Sequence, residues 1–251
     1  EYLSLGEKLK TKGHMLQTYN PNDIAEFQIM LQSAGKWFTN EKGEADFIDN
    51  AALEECYSIF KQLNEADYTK VVSDWTEFAG AINSGEVACV LRGCWMTSTL
   101  MAEESQSGKW ALAPIPKMNV EGATHYSNQG GSSWFVLNDS ANSEIAADFL
   151  AKTFGSSTEL YNTLLKEKSI IGTFLPATDV EAYEETSEFF SNQQVNKLLG
   201  DWMTKIPAVD TGAFSAEAQN SLVSVTPSIL EGEDLKENLA TAEEQFEQSI
   251  Q

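Results

Sequence analysis

The chain has 251 residues, with 38 acidic against 16 basic side chains, a formal net charge of −22, and 42% hydrophobic residues. So negative a surface repels a phosphate backbone and an anionic bilayer, which excludes nucleic acid and membrane surfaces as expected partners. The length allows one large domain or two modest ones, and no apolar run approaches the ~20 residues of a helical membrane span.

A helical period opens the chain at once. Tyr2, Leu5 and Leu9 are spaced along one face, Lys8, Lys10 and Lys12 lie between, and Gly13 stops the pattern. Neither an N-cap, an initiator Met nor a leader precedes it, so the expectation is a piece that starts inside a helix. His14 to Thr18 reads as a short strand. Pro21 then opens a helical pattern through Ile24, Phe27 and Leu31 that ends before Gly35. Trp37-Phe38 and Glu41 to Glu44 read as a small hairpin or loop turning at Gly43. Asp49 or Asn50 can cap an amphipathic helix with Leu53, Cys56, Tyr57, Phe60 and Leu63 on one face. Ser73 to Glu77 opens the next helix, with Trp75, Phe78 and Ile82 expected on its buried side.

Val87 to Arg92 reads as a core strand broken by Gly93, and Trp95 to Met101 as helix. Strands are expected at Trp110 to Ile115 and Trp134 to Leu137, with a polar loop and Gly130-Gly131-Ser132-Ser133 between them. Two helices follow, about Asn142 to Phe154 and Ser156 to Lys168. After Pro176 the tail is helix-rich and ends on a stripe of Leu235, Leu239, Ala242, Phe246 and Ile250. Helices alternating with single short strands predict an α/β layered fold.

The residues give catalysis no positive support. No GxSxG elbow, CxxC or HExxH occurs, so neither a nucleophile elbow nor a metal site nor a cofactor is expected. His14 and His125 read as ordinary structural or surface histidines. Cys56, Cys89 and Cys94 read as small hydrophobes, although one bridge is possible among them. Gly130-Gly131-Ser132 lacks the lysine of a phosphate loop. It reads either as a tight turn or as backbone that approaches a ligand or a second lobe. The aromatic residues say more. Trp37, Trp95, Trp202 and Phe214 fall at element ends or in loops. Trp95, directly after a strand and a glycine, is expected at the carboxyl edge of a sheet, where ligands of open α/β sheets collect. An aromatic face there suits the apolar face of a sugar ring.

Five runs in order resemble one family. Phe78 to Trp95 carries Phe-Ala-Gly-Ala-Ile-Asn-Ser-Gly-Glu-Val-Ala followed by Gly93 and Trp95. Trp110-Ala-Leu-Ala-Pro-Ile-Pro116, Gly130-Gly-Ser-Ser-Trp-Phe-Val-Leu137, Asn142 to Leu150 and Gly172-Thr-Phe-Leu-Pro-Ala-Thr-Asp-Val180 follow. Together they resemble the extracellular solute-binding proteins of carbohydrate ABC importers, the maltose-binding-protein-like group. Cys89 stands where that family usually has Met, and Arg92 and Cys94 flank the glycine where the family varies.

The resemblance implies a periplasmic-binding-protein-like α/β fold of two lobes, with most of the N-terminal lobe outside these residues. Residues 1–116 would begin the C-terminal lobe, 117–172 would cross to the N-terminal lobe, and 173–251 would return as outer helices. It implies a non-enzymatic component that binds a carbohydrate, an oligosaccharide above all, in an interlobe cleft and delivers it to the transmembrane subunits of an ABC permease. It also implies an extracytoplasmic location, as a surface lipoprotein or in the periplasm. Trp95 and Phe214 would stack on the sugar, Gly130, Gly131 and Ser132 would lie at hinge and cleft, and Asn20, Asp23, Phe27 and Trp37 would face the ligand. A sugar-active hydrolase or a surface adhesion protein on the same fold is the alternative.

Overall fold

The computed structural model describes residues Glu1 to Gln251. In chain order the elements are α1 (Tyr2–Lys10), β1 (Gln17–Tyr19), α2 (Ala25–Ser33), α3 (Ala51–Glu65), β2 (Thr69–Val71) and α4 (Trp75–Asn83). There follow α5 (Met96–Met101), α6 (Ser143–Lys152), α7 (Thr158–Lys168), α8 (Val195–Met203), α9 (Ser215–Leu230) and α10 (Leu235–Ser249). Two compact units form. The first is Glu1–Arg92, Pro114–Ser127 and Ile206–Gln251, and the second is Gly93–Ala113 and Asn128–Lys205.

The first unit has a minimal parallel sheet with helices packed on it. β1 pairs with β2 in parallel register, Gln17 opposite Thr69 and Tyr19 opposite Val71. On its other edge Met15 bridges Val87, and the Cys89 amide donates to the Leu16 carbonyl at 2.9 Å. The expected 87–92 strand does not form: it reduces to that single bridge at Val87, followed by extended chain without a ladder. All three segments run the same way, so Asn20, Val72 and the chain beyond Cys89 emerge on one carboxyl edge.

The core of this unit is aromatic. Phe27 meets Tyr57 edge-on at 4.9 Å and Phe60 at 5.1 Å, and Phe47 meets Phe246 at 6.1 Å. α3 buries Leu53, Cys56, Tyr57, Phe60 and Leu63, the stripe its spacing predicts. Asn50, not Asp49, is its cap: Oδ1 accepts from the Ala52 and Leu53 amides, and Nδ2 donates to the Asp46 carbonyl. α10 buries Leu239, Ala242 and Phe246 against the core it shares with α9. Each such large apolar side chain contributes about 1.5–3 kcal/mol.

The second unit is looser. Its small core is Leu165, Ala182 and Tyr183, with Ile171 and Val180 against it. Gly172 lies so close under Tyr161 that an added Cβ would fall 2.1 Å from the ring, and that ring stacks on Phe174 at 5.7 Å. Two strands expected here do not form. Extended backbone becomes a strand only when another strand accepts its ladder. At 110–112 the partners are side chains instead: Gln193 Oε1 accepts from the Leu112 amide, its Nε2 donates to the Leu112 carbonyl, and Ser191 Oγ donates to the Trp110 carbonyl. Residues 134–137 have no ladder either, and Phe135 is 84% exposed. α6 buries no residue, so Ile145 and Phe149 are exposed, as are Trp134 and Leu137 of the same unit.

A further correction concerns α4. Phe78 and Ile82 are buried as expected, but Trp75 is 50% exposed. Asp74 caps the helix, so Trp75 is its first residue, and the indole stacks on the Phe78 ring at 5.3 Å from outside. The helical period selects the right face, but the end of that face extends past the core.

Candidate functional site

On the carboxyl edge of the first unit, the chain leaves β1 through Asn20 and enters α2. Asn20 Oδ1 accepts from the Asn22 amide, and Asp23 Oδ1 accepts from the Ala25 amide. These local bonds hold the turn and fix both side chains before the helix begins. Arg92, the only arginine of the chain, reaches this turn. Its guanidinium pairs with Glu26, lies 3.7 Å from the Asp23 carboxylate, and covers the Phe78 ring at 4.8 Å. The Glu26 side chain is 5% exposed and that of Arg92 6%. Burial raises the Glu26 carboxyl above its ordinary range, while Arg92 opposes that rise and the nearby Asp23 adds to it. Behind this pair Tyr2 donates its hydroxyl to Gln17 Oε1 at 2.6 Å, and burial pushes the phenol upward.

A second cluster on the same unit joins distant parts of the sequence. Trp37 Nε1 donates to Ser215 Oγ at 2.9 Å. Gln219 Nε2 also donates to Ser215 Oγ, at 3.1 Å, and Gln219 Oε1 accepts from Gln28 Nε2. Phe214 immediately precedes Ser215 at the start of α9 and is exposed. The result is a surface of two aromatic residues, Trp37 half-buried and Phe214 exposed, around a run of amides and one hydroxyl. Such a mixture of ring faces and directed polar groups suits a neutral polyhydroxylated ligand.

The second unit carries a third cluster. Trp95 is 37% exposed and stands immediately before α5, without a side-chain capping bond. An added Cβ at Gly93 would lie 2.6 Å from both Trp95 Nε1 and the Gln129 carbonyl, and the Gly93 amide donates to Gln129 Oε1 at 3.2 Å. Gly130, at φ +89°, would place a Cβ 3.9 Å from the same indole nitrogen. The glycines thus let main chain run close to the Trp95 ring. Gly131, at φ +114°, has nothing within 4 Å of its Cβ position, and Ser132 is exposed, so neither is brought against that ring.

Of the nine residues expected to bind, the structure therefore groups Asn20 with Asp23, Trp37 with Phe214, and Trp95 with Gly130, and leaves Gly131 and Ser132 exposed beyond them. Phe27 differs from the rest: its ring is 2% exposed and packed inside the core, with no face for a ligand. It follows Glu26 on the inner side of α2. Sequence reasoning missed Glu26, Gln28, Ser215 and Gln219, and it noted Arg92 only as a variable flank. A lone arginine in so acidic a chain was the available signal for Arg92. The polar members of the Trp37 cluster had none, because each becomes informative only when paired.

The sequence pattern described as bacterial extracellular solute-binding protein matches residues 1–198. The lactose-binding protein of Rhizobium radiobacter is 37% identical over 251 residues, all of this chain and 60% of its own length. The arabinooligosaccharide-binding protein of Halalkalibacterium halodurans is 22% identical over 235 residues, 88% of this chain and 51% of its own. Among solved structures, the ABC transporter associated binding protein of B. animalis subsp. lactis Bl-04, in complex with beta-1,6-galactobiose, superposes with a TM-score of 0.75. It is 19% identical and covers 99% of this chain and 64% of that one. The galacto-N-biose-/lacto-N-biose I-binding protein of Bifidobacterium longum, in complex with lacto-N-biose, gives 0.74 at 14% identity, over 98% and 61%. The periplasmic-binding-protein-like fold is thus shared over the whole chain, which spans 51–64% of the length of these relatives.

Proposed function

Because this chain belongs to the bacterial extracellular solute-binding proteins, we propose that it forms part of a receptor that binds an oligosaccharide and delivers it to an ABC permease. The observation that carries this reading is the placement of Trp95, Trp37 and Phe214. Each presents an aromatic surface beside polar groups that are already oriented by other protein atoms. A sugar ring offers an apolar face to the aromatic ring and a rim of hydroxyls to the amides and hydroxyls around it. The relative at 37% identity is a lactose-binding protein, and galactobiose and lacto-N-biose are bound by the two structural neighbours described above. We therefore assign a disaccharide or short oligosaccharide as ligand, with Asn20 and Asp23 among its polar contacts.

In this reading residues 1–92 and 206–251 belong to one lobe of the receptor and 128–172 to the other, while 93–113 and 173–205, which a division into 1–116, 117–172 and 173–251 would give to the first, cluster with 128–172 in the second compact unit. Support for that division comes from the exposed apolar side chains of Trp134, Phe135, Leu137, Ile145 and Phe149. The relatives carry more chain than the 251 residues here, and we place that further polypeptide on this surface. The receptor works outside the cytoplasm, in the periplasm or tethered by lipid, and docks on the transmembrane subunits of its importer.

The test is calorimetric titration of the complete protein with lactose, galactobiose and lacto-N-biose, repeated for Trp95→Ala and Phe214→Ala. Losing one stacking ring should weaken binding by about 1–2 kcal/mol while the variants stay folded. Unchanged affinity in both variants would remove these rings from the site. Recovery of the sugar intact after prolonged incubation is expected, and its hydrolysis would favour an enzyme.

A further inference from the structure

We infer that Ser215 is an obligate hydrogen-bond donor to the ligand, with its polarity set by Gln28 through Gln219, and that it selects sugars presenting an acceptor oxygen at that point. The inference rests on the sugar-binding reading above and names one contact within it.

A serine hydroxyl has one hydrogen to give and two lone pairs to receive with. Both lone pairs of Ser215 are committed. The indole N–H of Trp37 can only donate, and it donates to Oγ at 2.9 Å. The Gln219 amide could in principle face Oγ with either end. Its orientation follows from that of Gln28, whose Nε2 donates to Gln219 Oε1 on the far side. That contact occupies the carbonyl end and turns the NH2 toward Ser215, at 3.1 Å. With two donors pointing in, the Ser215 hydrogen must point away from both. Ser215 is half-buried, with exposed Phe214 immediately before it and half-buried Trp37 against it, so the hydrogen emerges on the aromatic surface.

The consequence is chemical selectivity. A hydroxyl oxygen, ring oxygen or glycosidic oxygen of a sugar can accept this proton. A carbon bearing only hydrogen at the same position leaves the donor unsatisfied once water is displaced, and that loss is the basis of discrimination against the deoxy analogue. Donation from an already doubly accepting hydroxyl is also strengthened by polarisation along the chain of bonds.

The relay makes a sharper prediction than truncation of Ser215 alone. A carboxylate at position 28 can accept but not donate. Gln28→Glu should therefore turn the Gln219 amide around, presenting its carbonyl to Ser215. The Ser215 hydrogen would then be drawn inward, and a lone pair would face the ligand. The variant keeps the size of the side chain at a half-buried surface position.

The complete protein is titrated with lactose, β-1,6-galactobiose and lacto-N-biose, and the tightest binder is then tested as its series of monodeoxy analogues. With the wild type, one deoxy position should cost about three- to tenfold in affinity through this contact, beyond its effect in the variant. In Ser215→Ala that position should lose its extra penalty while the other positions keep theirs. Gln28→Glu should remove the same penalty with Ser215 still present. Thermal melts of both variants are expected to match the wild type. If every deoxy penalty survives in both variants, Ser215 does not touch the ligand and this inference fails while sugar binding stands. If only Ser215→Ala removes the penalty, the control by Gln28 fails. If no sugar binds the wild type, the functional reading itself is overturned, and this inference with it.

Discussion

Replacing Arg92 by Met should leave Glu26 as an unpaired acid inside the first unit. Both side chains are almost fully buried, at 6% and 5% exposure, and the guanidinium also covers Phe78. Removing one partner of such a pair costs about 3–5 kcal/mol, because the remaining charge is neither solvated nor matched. Glu26 can escape part of that cost by taking a proton. Burial already holds its carboxyl above the ordinary value of 4.5, and Arg92 is what pulls it back down. A raised carboxyl favours the folded state fully below the unfolded pKa, and that contribution is lost as pH rises through the folded pKa. Without Arg92 the folded value climbs further, so the loss extends to higher pH. Urea unfolding of wild type and Arg92→Met, followed by tryptophan fluorescence at pH 5 and pH 8, should show the larger deficit at pH 8. Adding Glu26→Gln to Arg92→Met should recover most of it. A deficit below about 1 kcal/mol at pH 8, or one equal at both pH values, would refute the account of this pair.

Asn50→Ala should cost about 1–2 kcal/mol, since it strips the cap of α3 from two amides; circular dichroism melts read it directly. Phe60→Ala should cost about 3–5 kcal/mol, as the ring is buried between Tyr19 and Phe27; the same urea titration measures it. The thiol of Cys56 is fully buried and burial pushes it upward, so it should react with a disulfide reagent at neutral pH only after unfolding. Labelling of Cys56 in the native protein as fast as in urea would contradict its placement.

The parts of the fold that could be read in advance are those set by local rules. α3 follows from an asparagine, then Leu53, Cys56, Tyr57, Phe60 and Leu63 on one stripe, and α10 from Leu239, Ala242 and Phe246. Each pattern states both the element and its buried side within one short window. Trp75 shows the limit of that rule, for periodicity names a face without saying how far the core extends beneath it. The strands expected at 110–115 and 134–137 show another limit. Apolar extended sequence becomes a strand only through a distant partner, and at Leu112 the partner is the Gln193 side chain.

The same reason divides the candidate site. Trp95, Trp37 and Phe214 could be picked out because an aromatic ring at an element end is unusual by itself. Arg92 with Glu26, and Ser215 with Trp37 and Gln219, are ordinary residues until the fold brings them together. The place of Phe27 near Asn20 and Asp23 in the sequence points it toward the site, but α2 turns that ring inward to the core.

The measurement closest to the central claim is the unfolding temperature and free energy of the complete protein with and without sugar. A disaccharide held a hundredfold above its dissociation constant should stabilise the folded state by about 2.7 kcal/mol. The account predicts that gain for at least one of lactose, galactobiose and lacto-N-biose, and a smaller gain at the same sugar concentration in Trp95→Ala. No stabilisation by any oligosaccharide, with the protein otherwise folded, would contradict it.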